Sequence, residues 1–168
     1  MNIPLTFRTL FFGGGLISLA LLLCAYLLEY FFNLVPCPLC YLQRFVLFGI
    51  IALFWLGTLQ NCKKTGRLIY CGSVFTLSTV GILLAARQLW IQIISPVSES
   101  NCLAGFEKML QFMPLWEVLK ETIHGTQECS AIDFTVLFLP LSAWSLFSFM
   151  GFAIFSIMIG WLQIKRRI

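Results

Sequence analysis

Residues 45–62, FVLFGIIALFWLGTLQNC, run for 18 positions without a charged side chain. A helix rising about 1.5 Å per residue needs about 20 residues to cross roughly 30 Å of hydrocarbon, and this stretch is that long to within one turn. Working outward, Thr9–Leu28 is uncharged for 20 residues and Leu68–Ala86 for 19. Phe134–Ile164 is uncharged for 31, too long for one span. Pro140 divides it, because proline suits a first helical turn and disrupts an interior. The whole 168-residue chain is 60% hydrophobic and 11% charged, against about 25% charged in soluble domains, and its mean hydropathy is +0.92. That composition argues against an ordinary soluble domain, a disordered tail, a secreted disulfide miniprotein and a nucleic-acid binder. The reading is an all-α membrane protein. One domain over 1–168 forms a four-transmembrane-helix bundle, with spans near 9–30, 41–62, 68–90 and 140–163.

The first apolar run is longer than the core of a secretory signal and lacks an obvious small-residue cleavage site, so it is expected to stay in the mature protein. Its Gly13-Gly14-Gly15 run permits close helix contact or a locally flexible start. Basic residues set the orientation. Arg8, Lys63, Lys64, Arg67, Lys165, Arg166 and Arg167 fall on one side, which the positive-inside rule makes cytoplasmic. Both termini then lie inside. The other side receives two loops, about 31–40 and 91–139. The longer one holds Glu99, Glu107, Glu117, Glu121, Glu128 and Asp133 against Lys108 and Lys120. Between Phe106 and Ile123 its apolar residues recur at helical intervals on either side of Pro114, the pattern of short amphipathic helices on a membrane surface or of a small packed cap.

Topology sorts the seven cysteines. Cys24 and Cys71 fall inside spans and Cys62 faces the cytoplasm, where free cysteine acts as a compact hydrophobe. Cys37, Cys40, Cys102 and Cys129 all lie in the outer loops, where disulfides persist. Cys37-Pro38-Leu39-Cys40 is a C-x-x-C pair, a spacing that suits a tight disulfide or a metal. With a helix starting near Pro38, Cys40 occupies the first turn, where unpaired N–H groups and the helix dipole favour thiolate. Arg44 follows four residues on, on the same helix face. An arginine at membrane depth is either a functional cation or a snorkelling contact to headgroups; beside C-x-x-C the first is preferred. A Cys102–Cys129 bond would close a loop and stabilise it by roughly 3–4 kcal/mol on chain entropy, although four cysteines allow three pairings. Two pairs on one membrane face can also pass electrons by thiol–disulfide exchange. A zinc site is disfavoured because the second pair is widely split and the sole histidine, His124, reads as a loop residue.

Four stretches, CPLCYLQR at 37–44, AARQLWIQ at 85–92, PLWEVLK at 114–120 and ECSAIDF at 128–134, resemble the disulfide bond formation protein B (DsbB) family, quinone-reducing thiol oxidases of the bacterial inner membrane. With the four-span layout the resemblance covers nearly the whole chain. It implies a thiol:quinone oxidoreductase that reoxidises a periplasmic DsbA-like dithiol protein. In that scheme the partner attacks a Cys102–Cys129 disulfide at Cys102, Cys129 exchanges with Cys37, and Cys40 is released as a thiolate facing the quinone. DsbA is itself a strong oxidant, so its reoxidation needs an acceptor of still higher potential. The resemblance also places Arg44 and Trp144 at the quinone and matches Arg87 and Gln88 to a family pattern, with no role for Arg87 beyond anchoring. Some relatives carry a histidine soon after this point, and none stands between Gln88 and Cys102 here. Residue spacing does not choose between ubiquinone and menaquinone. The competing readings are a membrane scaffold with disulfide-stapled loops and a relative that oxidises one dedicated partner.

Overall fold

The computed structural model describes residues 7–32, 37–60, 63–94, 116, 135–136 and 139–165. Four long helices dominate: α1 (Phe7–Phe32), α2 (Pro38–Leu59), α3 (Lys64–Ile94) and α4 (Leu141–Lys165). A two-residue antiparallel ladder, β1 (Thr135–Val136) with β2 (Leu139–Pro140), leads directly into α4. All four helices are long and apolar enough to cross a membrane, and the chain is an all-α, multi-pass membrane protein. Many large apolar side chains, among them Ile17, Leu27, Phe45, Leu83 and Ile154, point outward from the bundle. In water so much exposed apolar surface would be a liability; against lipid tails it is the solvated face.

Most helix limits run past the uncharged stretches, whereas α2 stops at Leu59, short of the expected 62. α1 and α3 extend past both ends of their expected spans, and α3 takes in Lys64, Arg67 and Arg87. At 31 residues it is about 46 Å long, so its ends clear the hydrocarbon. Charge ends a span; it does not end a helix, since lysine, arginine and glutamine are good helix formers. α2 begins three residues before the expected position 41 because Cys37 caps it and Pro38 fills its first turn. α4 starts at Leu141, directly after Pro140. The amphipathic stretch expected within 106–123 lies, apart from Trp116, outside the described residues.

Each helix packs on the next, α3 on α4 most extensively, and α1 meets α4 along a narrow contact. The main core joins Phe7, Phe11, Ile50, Phe54, Val74, Phe149, Phe152 and Ile159. Phe54 is its hub. Its ring meets Phe11 of α1 edge-on at 5.2 Å between centroids and lies 6.0 Å from Phe152 and 6.3 Å from Phe155 of α4. Glycines admit core rings at such close range. A Cβ on Gly14 would stand 2.8 Å from the Phe54 ring, and one on Gly81 would stand 2.5 Å from Phe149. Close contact, rather than flexibility, therefore explains Gly14, which sits well inside α1.

Between helices that share an apolar solvent, polar side chains must find partners within the bundle. Ser156 Oγ donates to the Cys71 carbonyl, linking α4 to α3. Buried Ser142 of α4 donates to Oε1 of buried Gln92 on α3 at 2.5 Å. Cys71 is buried in the core as expected of a small hydrophobe, whereas Cys24 lies exposed on the outer face of α1. A helix surface turned to lipid accepts a thiol as readily as a methyl group, so burial is not required there.

Candidate active site at the amino end of helix α2

The site begins with a cap. Cys37 holds extended backbone angles, φ −69° and ψ 159°, and its Sγ accepts the Cys40 N–H at 3.4 Å. Its carbonyl accepts the N–H groups of Cys40 at 3.0 Å and Tyr41 at 3.3 Å. A cysteine thus does here what serine or aspartate usually does at a helix start. Proline at the next position loses nothing by lacking an N–H, because that donor would be unpaired anyway. The turn brings the two sulfurs to 2.8 Å, farther apart than the ~2.05 Å of a disulfide but inside ordinary sulfur–sulfur contact. Cys37 is buried, Cys40 is partly exposed, and both pack with Leu39, Leu42, Leu84 and Ile91 in a small apolar cluster apart from the main core.

Helix α3 supplies the polar lining. Gln88 Nε2 lies 3.5 Å from Cys37 Sγ and 3.3 Å from Cys40 Sγ. Its Oε1 accepts from Nε2 of Gln43, three residues beyond Cys40 on α2, at 2.6 Å. Both amides are buried, at 4% and 6% exposure. One turn farther along α3, Gln92 makes its bond to Ser142 at the start of α4. Amide contacts therefore fasten α2, α3 and α4 at this end.

Arg44 meets both a carboxylate and two aromatic rings. Its guanidinium pairs with Glu29 of α1 at 2.6 Å, an ion pair rather than an aligned hydrogen bond, and stands 4.7 Å from the Tyr26 ring centroid and 5.8 Å from that of Tyr41. Free snorkelling is replaced by a held cation, half sheltered between α1 and α2. Trp144, two residues after Ser142, is at the same end of the bundle, and its ring meets Phe147 edge-on at 6.5 Å. Arg87 is exposed on α3. The structure thus brings Cys37, Cys40, Gln43 and Gln88 into one cluster, with Arg44 anchored beside it by Glu29. Cys102, Cys129 and His124 lie outside the described residues.

Residues 7–159 match the family model described as Disulfide bond formation protein DsbB. The chain belongs to the DsbB family. Relatives named Disulfide bond formation protein B include one from Hahella chejuensis, 39% identical over 150 residues covering 88% of this chain and 90% of the relative. Another, from Azoarcus sp., is 35% identical over 168 residues, covering 99% and 98%. A third, from Chromohalobacter salexigens, is 33% identical over 159 residues, covering 91% of each. Membership of the DsbB family makes this chain a membrane oxidoreductase of disulfide bond formation, and in the CPLC turn two of its described thiols lie in contact.

Two site residues escaped the sequence reading. Glu29 had a signal, since it is the one acid outside 99–133 and a carboxylate at the end of an apolar helix calls for a cation. Gln43 had none. An uncharged amide beside an arginine looks like any interfacial residue until its partner, 45 positions away, is known.

Proposed function

We propose that the chain is a thiol:quinone oxidoreductase that draws electrons from a periplasmic DsbA-like dithiol protein through Cys102, Cys129, Cys37 and Cys40 to a membrane quinone. The observation that carries the reading is the CPLC pair at 2.8 Å on the cap of a membrane helix, with a held cation one turn along the same helix. An incoming thiolate bonds to Cys37 Sγ as the Cys37–Cys40 bond breaks, and the bond's electron pair leaves on Cys40. Cys40 is the more exposed of the two, which suits it to face an acceptor at the bundle surface. When Cys102 attacks Cys129 and re-forms their bond, Cys37 is freed as a thiol. Joining the two reduced sulfurs again then gives up two electrons and two protons, the number that converts a quinone to a quinol.

The residues fit a quinone. Arg44 offers a cation for an electron-rich oxygen, Tyr26 and Tyr41 offer flat apolar faces beside it, and Trp144 stands at the same end of the bundle. A bound quinone would supply a two-electron sink that no side chain provides. What the protein's residues do is hold the thiol pair, shelter it, and place positive charge near the point where electrons leave. Orientation follows the same logic. Arg8, Lys64, Arg67 and Lys165 belong to the opposite end of the helices, where Arg8 bonds the Thr58 carbonyl and Arg67 bonds Gln163. The positive-inside rule makes that end cytoplasmic, which puts both termini inside the cell and the CPLC turn on the periplasmic face of the inner membrane.

The test is reoxidation of a reduced DsbA-type protein by the purified chain in detergent, with and without added quinone. Turnover that needs quinone and disappears with each of the four cysteines replaced in turn supports the reading. Quinone-independent turnover, or none with any dithiol protein, overturns it.

A further inference from the structure

Three polar contacts of the described residues surround the proposed electron route: the Glu29–Arg44 pair, already given to the quinone, the Gln92–Ser142 link and the Gln43–Gln88 amide pair. The last touches the reacting atoms. We propose that Gln88 is a catalytic residue that holds the negative charge released on Cys40 by donating from its carboxamide, and that Gln43 is a positioning residue that aims that donor. The proposal deepens the redox reading of the CPLC pair, on which it rests.

The orientation of the amide carries the argument. A carboxamide has a donor end and an acceptor end, and in a buried site the neighbours decide which faces where. Gln43 Nε2 donates to Gln88 Oε1 at 2.6 Å, which occupies the acceptor end. The donor end of Gln88 is thereby turned to the sulfurs, at 3.3 Å from Cys40 and 3.5 Å from Cys37. Sulfur in a disulfide or a thiolate can only accept, whereas a thiol can also donate. A site presenting an N–H group therefore favours the anion. Cys37 already receives the Cys40 N–H on its own sulfur, so Gln88 adds the side-chain donor nearer Cys40.

Burial makes the contribution count. Gln88 and Gln43 are nearly solvent-free and the sulfurs pack among leucines and isoleucine, surroundings that penalise an unpaired anion and strengthen a bond to it. When the Cys37–Cys40 bond opens, its electron pair arrives on a sulfur within reach of a donor already in place. No reorganisation is needed at that moment, which is the condition for electrostatic stabilisation in a reaction. The step uses the thiolate donor and the quinone acceptor of the reading above and adds no other reactant.

The experiment measures the pH dependence of Cys40 alkylation by iodoacetamide, followed by mass spectrometry of the Cys40 peptide, in reduced, quinone-free protein in detergent. Gln88→Met keeps the volume and removes the donor; the midpoint of the alkylation profile rises by about one pH unit, a tenfold loss of thiolate at fixed pH. Gln43→Met produces a smaller rise in the same direction. In a Gln88→Met background the Gln43 change adds nothing, because its effect runs through the missing amide. An unchanged midpoint in folded Gln88→Met overturns the proposal. If Gln88→Met does not fold, an unchanged midpoint in Gln43→Met overturns it equally. Additive shifts overturn the positioning role of Gln43. Because no quinone is present, failure here is separate from failure of the reoxidation assay: a chain that needs quinone for turnover but shows no shift keeps the route and loses the amide.

Discussion

The two ends of α2 live in different chemical worlds. Around Phe54 the bundle is aromatic and close-packed, with glycines at 14 and 81 admitting rings where any side chain would collide. Around Cys37 the same helix is lined by amides, an ion pair and two sulfurs. Lipid tails are as apolar as leucine, so neither end is held together by expulsion of water from within the membrane. The Phe54 region relies on fit. The Cys37 region relies on partnered polar groups, each costly to strand in a nonpolar surrounding. The difference teaches that stability and reactivity are lodged in separate layers: changes in one should leave the other readable.

The largest expected effect tests that separation from the reactive side. Cys40→Ala should abolish thiol oxidation while the thermal unfolding midpoint in detergent stays within a few degrees of wild type; a fall in both would mean that the layers are coupled. Phe54→Ala should do the reverse, opening a cavity between α1, α2 and α4 at a cost of about 3 kcal/mol. Its measure is the unfolding transition, with activity at low temperature retained, and an unaltered transition would remove Phe54 as the hub. Arg44→Ala sharpens the boundary between the layers. It removes the cation that pairs with Glu29 and, on the proposed function, should raise the apparent KM for quinone about tenfold, a loss of about 1.4 kcal/mol, while a single-turnover exchange with the proposed dithiol partner survives. Equal losses in both would place Arg44 in the thiol chemistry instead. The smallest effect belongs to Ser142→Ala, which leaves Gln92 Oε1 without its donor. It should cost about 0.6–1 kcal/mol in unfolding and leave the Cys40 alkylation profile in place.

Much of this is legible in the sequence. The uncharged runs located four helices, and Pro140 marked where the last begins, because charge and proline obey rules that act along the chain. The C-x-x-C spacing placed Cys40 in the first turn of α2, since a cap and a proline at N1 are local matters. What sequence reading extended or missed was of another kind. Helix ends ran past the charges, because helical hydrogen bonding continues in the interface where a charged side chain is solvated. Glu29 was discoverable as a lone acid, but its pairing with Arg44 joined helices separated by a loop. Cys24 and Cys71 looked alike, and only the packing of α3 against its neighbours buried one and not the other.

The amino-acid order by itself determined the number of helices, their membrane character and the thiol pair at the start of α2, because hydropathy, capping and turn chemistry are short-range along the backbone. Tertiary structure alone decided which amide faces the sulfurs and which carboxylate holds the arginine. Gln43 and Gln88 are 45 residues apart, and no local preference says which faces of two apolar helices will meet. That choice is made only when the helices pack, because it depends on contacts between segments far apart along the chain.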